Sequence, residues 1–258
     1  MSRKLTNRGT NQGSNRLDYV QSYTALDALT PYQHLNRPSS ETLCPLRVEV
    51  RNPVLEPDEH PDSCFVEDLA LVLESRVVLT RPGHPARAAE QPAVRQALVE
   101  ALPNFPILEI EAPGCLDGGD VLRVGERWFV GRSHRTNDHG FQQLAEVLAA
   151  DGQNCYQINV PEVLHLKTGV TGVSQDTVLA LAPLVETFRE FGFRVVEVSE
   201  TESHAVNVVA VDKKIILPSG YPGVRGDIVA LGLEPLEVDL SEFKKQDGGA
   251  TCLSLLLP

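Results

Sequence analysis

Long hydrophobic runs are missing from this chain of 258 residues, since no apolar stretch approaches the roughly 18 residues that a membrane-spanning helix needs. No apolar segment follows the basic, polar start MSRKLTNRGTNQGSNR, so the sequence predicts no signal peptide. An excess of positive charge is also absent, because 35 acidic residues outnumber 23 basic ones and give a net charge of −12. We therefore expect neither nucleic acid nor a membrane as partner, and a cytoplasmic location.

The five cysteines are odd in number and widely spaced, so they fit neither a disulfide framework nor a paired zinc motif. This favours a reducing compartment and leaves one reactive thiol open. Because no HxxxH or CxxC spacing occurs, we expect no catalytic metal, and we expect no other cofactor.

A hairpin, a helix and a strand recur along the chain from about Leu46. Two short apolar strands flank a polar turn in each of four segments: LALVLESRVVLTRPG, VLRVGERWFVGRS, GVTGVSQDTVLALAP and VNVVAVDKKIILPSG. A helical pattern and a further apolar strand follow the first three hairpins, but not clearly the fourth. A period of about 40–50 residues predicts repeats that are closed into a ring or stacked in an array.

Polar residues that introduce the hairpins keep the same spacing. They are separated by 49, 48, 42 and 45 residues, and they are Asp68, Asp117, His165, Asn207 and Cys252. In a closed propeller, equivalent positions of successive blades converge on the central channel. A thiol, an imidazole and carboxylates that converge are the groups of nucleophilic catalysis. Acidic neighbours oppose ionisation of a thiol unless the substrate itself is a cation, and a guanidinium meets that condition.

Five motifs in order and spacing, PDSCFVED, LDGGDVL, GRSHRTN, LHLKT and DGGATC, make residues 46–258 resemble the dimethylarginine dimethylaminohydrolases. The resemblance implies an α/β fold of the pentein type, a five-bladed α/β propeller with pseudo-fivefold hairpin–helix–strand repeats. It implies a hydrolase that converts asymmetric dimethylarginine and monomethylarginine to citrulline and a methylamine through a covalent intermediate on cysteine.

The resemblance also implies roles for single residues. Cys252 would be the nucleophile, His165 the general acid and base, and Asp117 the residue that orients His165. The implied substrate-binding residues are Asp62 for the α-amino group, Glu67 and Asp68 for the guanidinium, Arg87 and Arg135 for the α-carboxylate, and the main-chain carbonyl of Gln246.

Residues 1–40 depart from this family. They are predicted to be a polar leader, disordered or loosely attached, ahead of one catalytic domain at 41–258. Members of the family open with an apolar strand and a mobile loop, and neither is clear here, so the blade shared by the two termini is expected to be incomplete if that strand is missing. A homodimer is left open.

Other functions stay in competition. An arginine deiminase uses the same thiol chemistry, although the chain has no room for the usual helical insertion. An agmatine deiminase would leave the two arginines without a carboxylate to bind, and a related ribosome anti-association factor would need no nucleophile at Cys252. A catalytically impaired relative is the remaining alternative.

Overall fold

The computed structural model describes residues 60–160 and 163–258, together with the backbone of residues 24–27 and 49–51. These residues contain five three-stranded sheets. In each of the first four, two strands form an antiparallel hairpin and the third pairs in parallel with the second. Their strands are β3–β5 (Ala70–Val72, Val77–Leu79, Ile107–Glu109), β6–β8 (Val121–Val124, Arg127–Arg132, Asn154–Asn159), β9–β11 (Val170–Gly172, Thr177–Leu181, Arg194–Val198) and β12–β14 (Val209–Val211, Lys214–Pro218, Glu234–Val238).

A helix connects the second and third strands of each of these sheets. The four helices are α1 (Gln91–Ala101), α2 (Asp138–Ala150), α3 (Ala182–Glu190) and α4 (Pro222–Ala230). The start of α2 is capped by Asn137, whose side chain accepts a hydrogen bond from the Gly140 amide. Its apolar stripe buries Leu144 and Leu148 at helical spacing, which places the helix against the sheets. Shorter helical segments cover Pro85–Glu90 and Ser241–Lys244.

The fourth repeat is complete, which corrects the expectation drawn from the sequence. Helix α4 and strand β14 follow the fourth hairpin, although neither was predicted. The helix contains Gly223 and Gly226, which lower its intrinsic propensity and obscure its pattern. It forms because Val224 and Ile228 are buried against the fourth sheet and because Glu202 accepts hydrogen bonds from two amides at its first turn.

The fifth sheet joins the two ends of the chain. The C-terminal strand β15 (Ser254–Leu257) pairs antiparallel with β1 (Thr24–Asp27), and β1 pairs in parallel with β2 (Glu49–Arg51). It therefore has the same strand pattern as the other four sheets. The opening strand that was not clear in residues 1–40 is present at Thr24–Asp27, so this sheet is not short of a strand.

Apolar side chains form five buried clusters, and each cluster lies between two sheets. Leu255 and Leu257 of β15 pack with the first sheet. The next three clusters connect the first sheet with the second, the second with the third, and the third with the fourth. The last cluster joins the fourth sheet with Leu253, directly before β15, and with Leu256, within β15. Every sheet thus shares apolar contacts with two others.

A short helical turn precedes the first strand of each sheet, and we call these five segments the leading turns. They are Val66–Leu69, Gly118–Asp120, Leu166–Gly169, Glu200–Val206 and Thr251–Leu253. The first leading turn contacts the second and the fifth, and the third contacts the second and the fourth. Because these turns meet, the side chains that they carry are brought into one place.

Among the helices in the described part of the chain, none combines the length and the apolar character that crossing a membrane requires.

Candidate active site

The polar residues that recur along the sequence all lie at the leading turns. Asp68 and Cys252 lie within their turns, Asp117 and His165 directly precede theirs, and Asn207 directly follows its own. The side chains of Asp68, Asp117, His165 and Asn207 are buried, whereas Cys252 is partly exposed. Polar groups are rarely buried unless they are paired, so their bonds define what this site can do.

His165 lies between two aspartates. Its Nε2 is 3.0 Å from Asp117 Oδ2 and 3.9 Å from Asp68 Oδ1. The other oxygen of Asp117 accepts a hydrogen bond of 2.7 Å from the Gly83 amide, and the Asp117 amide donates a hydrogen bond of 3.1 Å to Thr136 Oγ1. Asp117 is therefore held from two sides and fixes the imidazole in one orientation.

The charge of His165 follows from these neighbours. Burial by itself lowers the pKa of the imidazole, but the carboxylates of Asp68, Asp117 and Asp120 outweigh it and raise the pKa from 6.5 to about 9. At neutral pH His165 is therefore an imidazolium, which is the form that can give a proton to a departing amine.

The glycine pair of LDGGD permits this close packing. A Cβ on Gly119 would lie 2.7 Å from His165 Nδ1 and 2.8 Å from Asp68 Oδ1, and its amide donates a 3.0 Å hydrogen bond to Asp68. A Cβ on Gly118 would lie 1.9 Å from the Glu67 carbonyl oxygen. Only glycine fits at these two positions without a shift of its neighbours, because any other residue would add a Cβ that overlaps these atoms.

Asp120, the second acid of LDGGD, was not assigned from the sequence. It is fully buried and accepts hydrogen bonds from Ser133 Oγ at 2.6 Å and from the Leu166 amide at 2.9 Å. Burial raises its pKa, while His165 and these hydrogen bonds lower it. Since Leu166 follows His165, Asp120 fixes the backbone that carries the imidazole.

The thiol of Cys252 is protonated in the protein as it stands. Burial of the sulfur raises its pKa, and the charges of Glu67 and Asp68 raise it further. The Gly249 amide donates a 3.4 Å hydrogen bond to Sγ, which is a weak opposing effect. An added positive charge near the sulfur would lower the pKa of the thiol and so favour the thiolate.

Glu67 is occupied by protein groups. Its Oε1 is 2.5 Å from Lys167 Nζ, and its Oε2 accepts a 2.7 Å hydrogen bond from Thr251 Oγ1. Burial raises the pKa of Glu67, and Lys167 and Thr251 lower it. Its expected supporting role beside Asp68 stays a prediction, and neither partner was identified from the sequence.

Arg87 is bonded to acidic groups of the protein. Its guanidinium donates hydrogen bonds to Asp68 at 3.1 Å, to Glu90 at 2.8 Å and to the Phe65 carbonyl at 2.7 Å. It is buried, and although burial lowers its pKa, Asp68 and Glu90 raise it. Arg87 thus contacts Asp68, while the roles of Asp68 toward a guanidinium and of Arg87 toward an α-carboxylate stay predictions.

The other expected substrate-binding residues surround this centre less closely. Asp62 is partly exposed, and its charge contributes to the raised pKa of Arg87. Arg135 is partly exposed, and its backbone lies so near Gly83 that a Cβ there would be 2.4 Å from the Arg135 oxygen. Gln246 is exposed, next to Asp247 with a left-handed φ of 58°. Their roles toward a substrate stay predictions.

Oxygen and nitrogen atoms of Asp68, Asp117 and His165 all lie within 4.8 Å of one another, a spacing that a metal ion also accepts. No metal motif in the sequence had indicated this cluster. The two carboxylates also orient His165 and raise its pKa, so the cluster has an explanation without a metal ion. The expectation that no metal is used stays a prediction.

The chain is similar to known proteins in sequence and in fold. The family model described as arginine deiminase matches residues 33–217. The N(G),N(G)-dimethylarginine dimethylaminohydrolase of Pseudomonas aeruginosa is 37% identical over 203 residues, which are 78% of this chain and 80% of that protein. The chain belongs to the dimethylarginine dimethylaminohydrolase family.

Solved structures of this family superimpose well on the chain. A cysteine-to-serine variant of the Pseudomonas aeruginosa enzyme in complex with citrulline has a TM-score of 0.80 and 33% identity, covering 84% of this chain and 85% of that one. A histidine variant of a dimethylarginine dimethylaminohydrolase, as its adduct with S-methyl-L-thiocitrulline, has the same TM-score, identity and coverage.

Proposed function

We propose that this chain hydrolyses asymmetric dimethylarginine and monomethylarginine to citrulline and a methylamine. The observation that carries the proposal is the buried cluster of Asp68, Asp117 and charged His165 at the leading turns that also carry Cys252. The names of the similar enzymes support it, as do the citrulline complex and the adduct with S-methyl-L-thiocitrulline among the similar structures. Such a cluster accepts a guanidinium, because Asp68 already binds the guanidinium of Arg87.

The reaction begins with a protonated thiol. A bound guanidinium places positive charge near Cys252, and this charge lowers the pKa of the thiol. The thiol proton then leaves to solvent. The thiolate attacks the guanidinium carbon to form a C–S bond. His165 then donates its proton to the methylated nitrogen, the C–N bond breaks, and a methylamine departs from a thiouronium on Cys252.

The second half of the reaction returns the enzyme to its starting state. Neutral His165 takes a proton from water, and the resulting hydroxide attacks the thiouronium carbon. The C–S bond then breaks, citrulline is released and the sulfur takes up a proton. Asp68 and Asp117 hold the remaining nitrogens, and Asp117 keeps the imidazole oriented throughout.

The test is a citrulline assay with asymmetric dimethylarginine, monomethylarginine and free arginine as substrates, with mass spectrometry of enzyme quenched during turnover. We expect citrulline from the methylated substrates and an adduct on Cys252. Cys252→Ser is expected to abolish turnover, and His165→Ala to abolish turnover while still allowing alkylation of the thiol. Citrulline formation by the Ser variant, with no adduct in the wild type, would contradict the covalent mechanism.

Two arginines are proposed to select an α-amino acid substrate, together with Asp62 and the Gln246 carbonyl. A charged hydrogen bond contributes about 1.5–3 kcal/mol, so Arg135→Ala is expected to raise KM by about 10- to 150-fold at similar kcat. Arg87→Ala is expected to raise KM and also to lower kcat, because Arg87 contacts Asp68. The measurement is steady-state kinetics with monomethylarginine and with its analogue that lacks the carboxylate. If the substitutions raised KM equally for both compounds, the assignment of the two arginines to the α-carboxylate would be contradicted.

Arginine deiminase activity is the second candidate, since the matching family model carries that description. The same thiol and histidine would release ammonia from free arginine. Release of ammonia from arginine at a rate above that of methylamine from the methylated substrates would decide for it.

The pairing of the two chain ends and the five shared apolar clusters support a closed five-bladed propeller. In that arrangement the leading turns surround the central axis, and the active site lies at one end of it. A cytoplasmic location, a leader at 1–40 and a homodimer remain proposals that rest on the sequence.

A further inference from the structure

Four polar side chains from four different repeats form a closed hydrogen-bond network beside Cys252. They are Glu67, Lys167, Asn207 and Thr251. Asn207 Nδ2 donates to the Lys167 carbonyl at 3.0 Å and to Thr251 Oγ1 at 3.1 Å. The Lys167 ammonium pairs with one oxygen of Glu67, and the Thr251 hydroxyl donates to the other. The network thus connects the turn that follows His165 with the turn that carries the nucleophile.

Thr251, the residue before Cys252, is held at every polar atom of its amide and side chain. Its amide donates a 2.8 Å hydrogen bond to Asn207 Oδ1, its hydroxyl donates to Glu67, and the same hydroxyl accepts from Asn207. Gly249 lies against Asn207 so closely that a Cβ would be 2.4 Å from its Cγ. The backbone around the sulfur therefore has little freedom to move without breaking these contacts.

Lys167 supplies positive charge at this point. The charged groups that face Glu67 are Lys167 and Asp68, and those that face Cys252 are Glu67, Asp68 and Lys167. The side chain of Glu67 is 8% exposed and that of Lys167 is 13% exposed, so water screens the pair weakly. Without the ammonium, Glu67 would be a buried carboxylate next to Asp68 and would take up a proton.

We propose that Lys167 is a positioning residue for the nucleophile: its ion pair holds Glu67 in place, and Glu67 together with Asn207 holds Thr251 and thereby Cys252. The inference rests on the proposed function, because it takes Cys252 as the nucleophile. It adds Lys167, Asn207 and Thr251 to the residues on which the reaction depends, although none of them needs to touch the substrate.

The test compares Lys167→Met with Lys167→Arg, and uses Lys213→Met, on an exposed hairpin turn, as the matched loss of a lysine. The rate of Cys252 alkylation by iodoacetamide is measured against pH, together with kcat and KM. In Lys167→Met we expect an additional ionisation in the alkylation profile, from Glu67, and a kcat at least tenfold lower with KM within threefold. Lys167→Arg and Lys213→Met are expected to follow the wild type.

A double variant identifies the group that titrates. Lys167→Met combined with Glu67→Gln removes both charges, so the additional ionisation is expected to disappear. A Lys167→Met profile identical to that of the wild type would overturn the proposal. So would a loss of kcat that comes with a lower Tm but with no change in the pH profile, because that result marks a structural role alone.

Thr251→Val decides the question if the Lys167 variants do not unfold cooperatively. It keeps the shape of the side chain and removes the hydroxyl, and we expect kcat to fall at least tenfold with KM within threefold; an unchanged kcat would overturn the proposal. Alkylation needs no turnover. If the wild type releases no citrulline while the Lys167→Met profile changes as expected, only the proposed reaction fails.

Discussion

His165 has a charge state that its neighbours determine. The imidazole would be neutral through most of the physiological range in water, but Asp68, Asp117 and Asp120 surround it in a site from which solvent is largely excluded. Burial, Glu67 and Asp68 raise the pKa of the nearby Cys252 thiol, because burial and negative charge both disfavour a thiolate. The proposed acid, His165, and the proposed nucleophile, Cys252, are therefore both protonated in the protein without substrate.

This charge makes the stability of the protein depend on pH. Because the pKa of His165 is raised from 6.5 to about 9 on folding, its contribution is fully present below pH 6.5 and is lost as the pH rises to about 9. A difference of that size corresponds to at most about 3 kcal/mol. We expect the free energy of unfolding of the wild type, relative to His165→Gln, to fall between pH 6.5 and 9. Urea unfolding at a series of pH values measures it, and a constant difference would contradict the raised pKa.

At the scale of single elements, the leading turns carry the residues of the candidate active site, and these turns contact one another. Each turn is only three to seven residues long, and one backbone amide in the second, the third and the fifth turn donates to a side chain of another repeat. Glycine at the second turn allows these contacts, because it lets one backbone approach the side chains of two other turns.

Gly119→Ala is expected to damage the site without unfolding the chain. The added methyl group would meet His165 Nδ1 and Asp68 Oδ1 at 2.7 and 2.8 Å, so it separates the two groups at a cost of about 1–3 kcal/mol. We expect turnover to fall at least 100-fold. Gly226→Ala is the control, since its Cβ would meet nothing within 4 Å in helix α4, and it is expected to stabilise the protein by about 0.5–1 kcal/mol. Activity assays and thermal melts measure both, and wild-type turnover in Gly119→Ala would refute this account of the turn.

At the scale of the whole molecule, the two ends of the chain belong to one sheet. Thr24 lies opposite Leu257 in the antiparallel pair of β1 and β15, so the start of one strand is adjacent to the end of the other. The C-terminal strand also contributes Leu255 and Leu257 to the cluster shared with the first sheet. Cys252, the proposed nucleophile, lies two residues before the start of this strand, so the pairing of β1 with β15 also supports the candidate active site.

A circular permutant tests whether this closure is independent of where the chain begins. A short linker joins Pro258 to Thr24, residues 1–23 are removed, and new ends are opened between Asp212 and Lys213 in the fourth hairpin. We expect cooperative thermal unfolding and wild-type alkylation of Cys252, because the linker acts as a hairpin turn between paired strands. Opening the same linked chain between Trp128 and Phe129, inside β7, is expected to prevent folding. Failure of both permutants would count against a closed ring.

The sequence by itself determined the repeating unit and the residues at its equivalent positions. Each hairpin shows two short apolar runs around a polar turn, and the first three helices show apolar residues at helical spacing, so local pattern was enough to find them. The even spacing from Asp68 to Cys252 marked the residues that lie at the leading turns. It did not reveal α4, whose two glycines weaken its pattern, or β1, which is four residues long and owes its place to its pairing with β15.

Only the tertiary structure decided which side chains bond to one another. Lys167 and Glu67 are separated by 100 residues, and Thr251 and Glu67 by 184, so no local pattern connects them. The guanidinium of Arg87 bonds to Asp68 and Glu90 at once, through different nitrogens, and the sequence did not indicate these two contacts. The pKa of His165 likewise depends on carboxylates from two other repeats. Pairing and charge inside a buried site follow from distance in space, and distance in space is set only when the repeats are packed together.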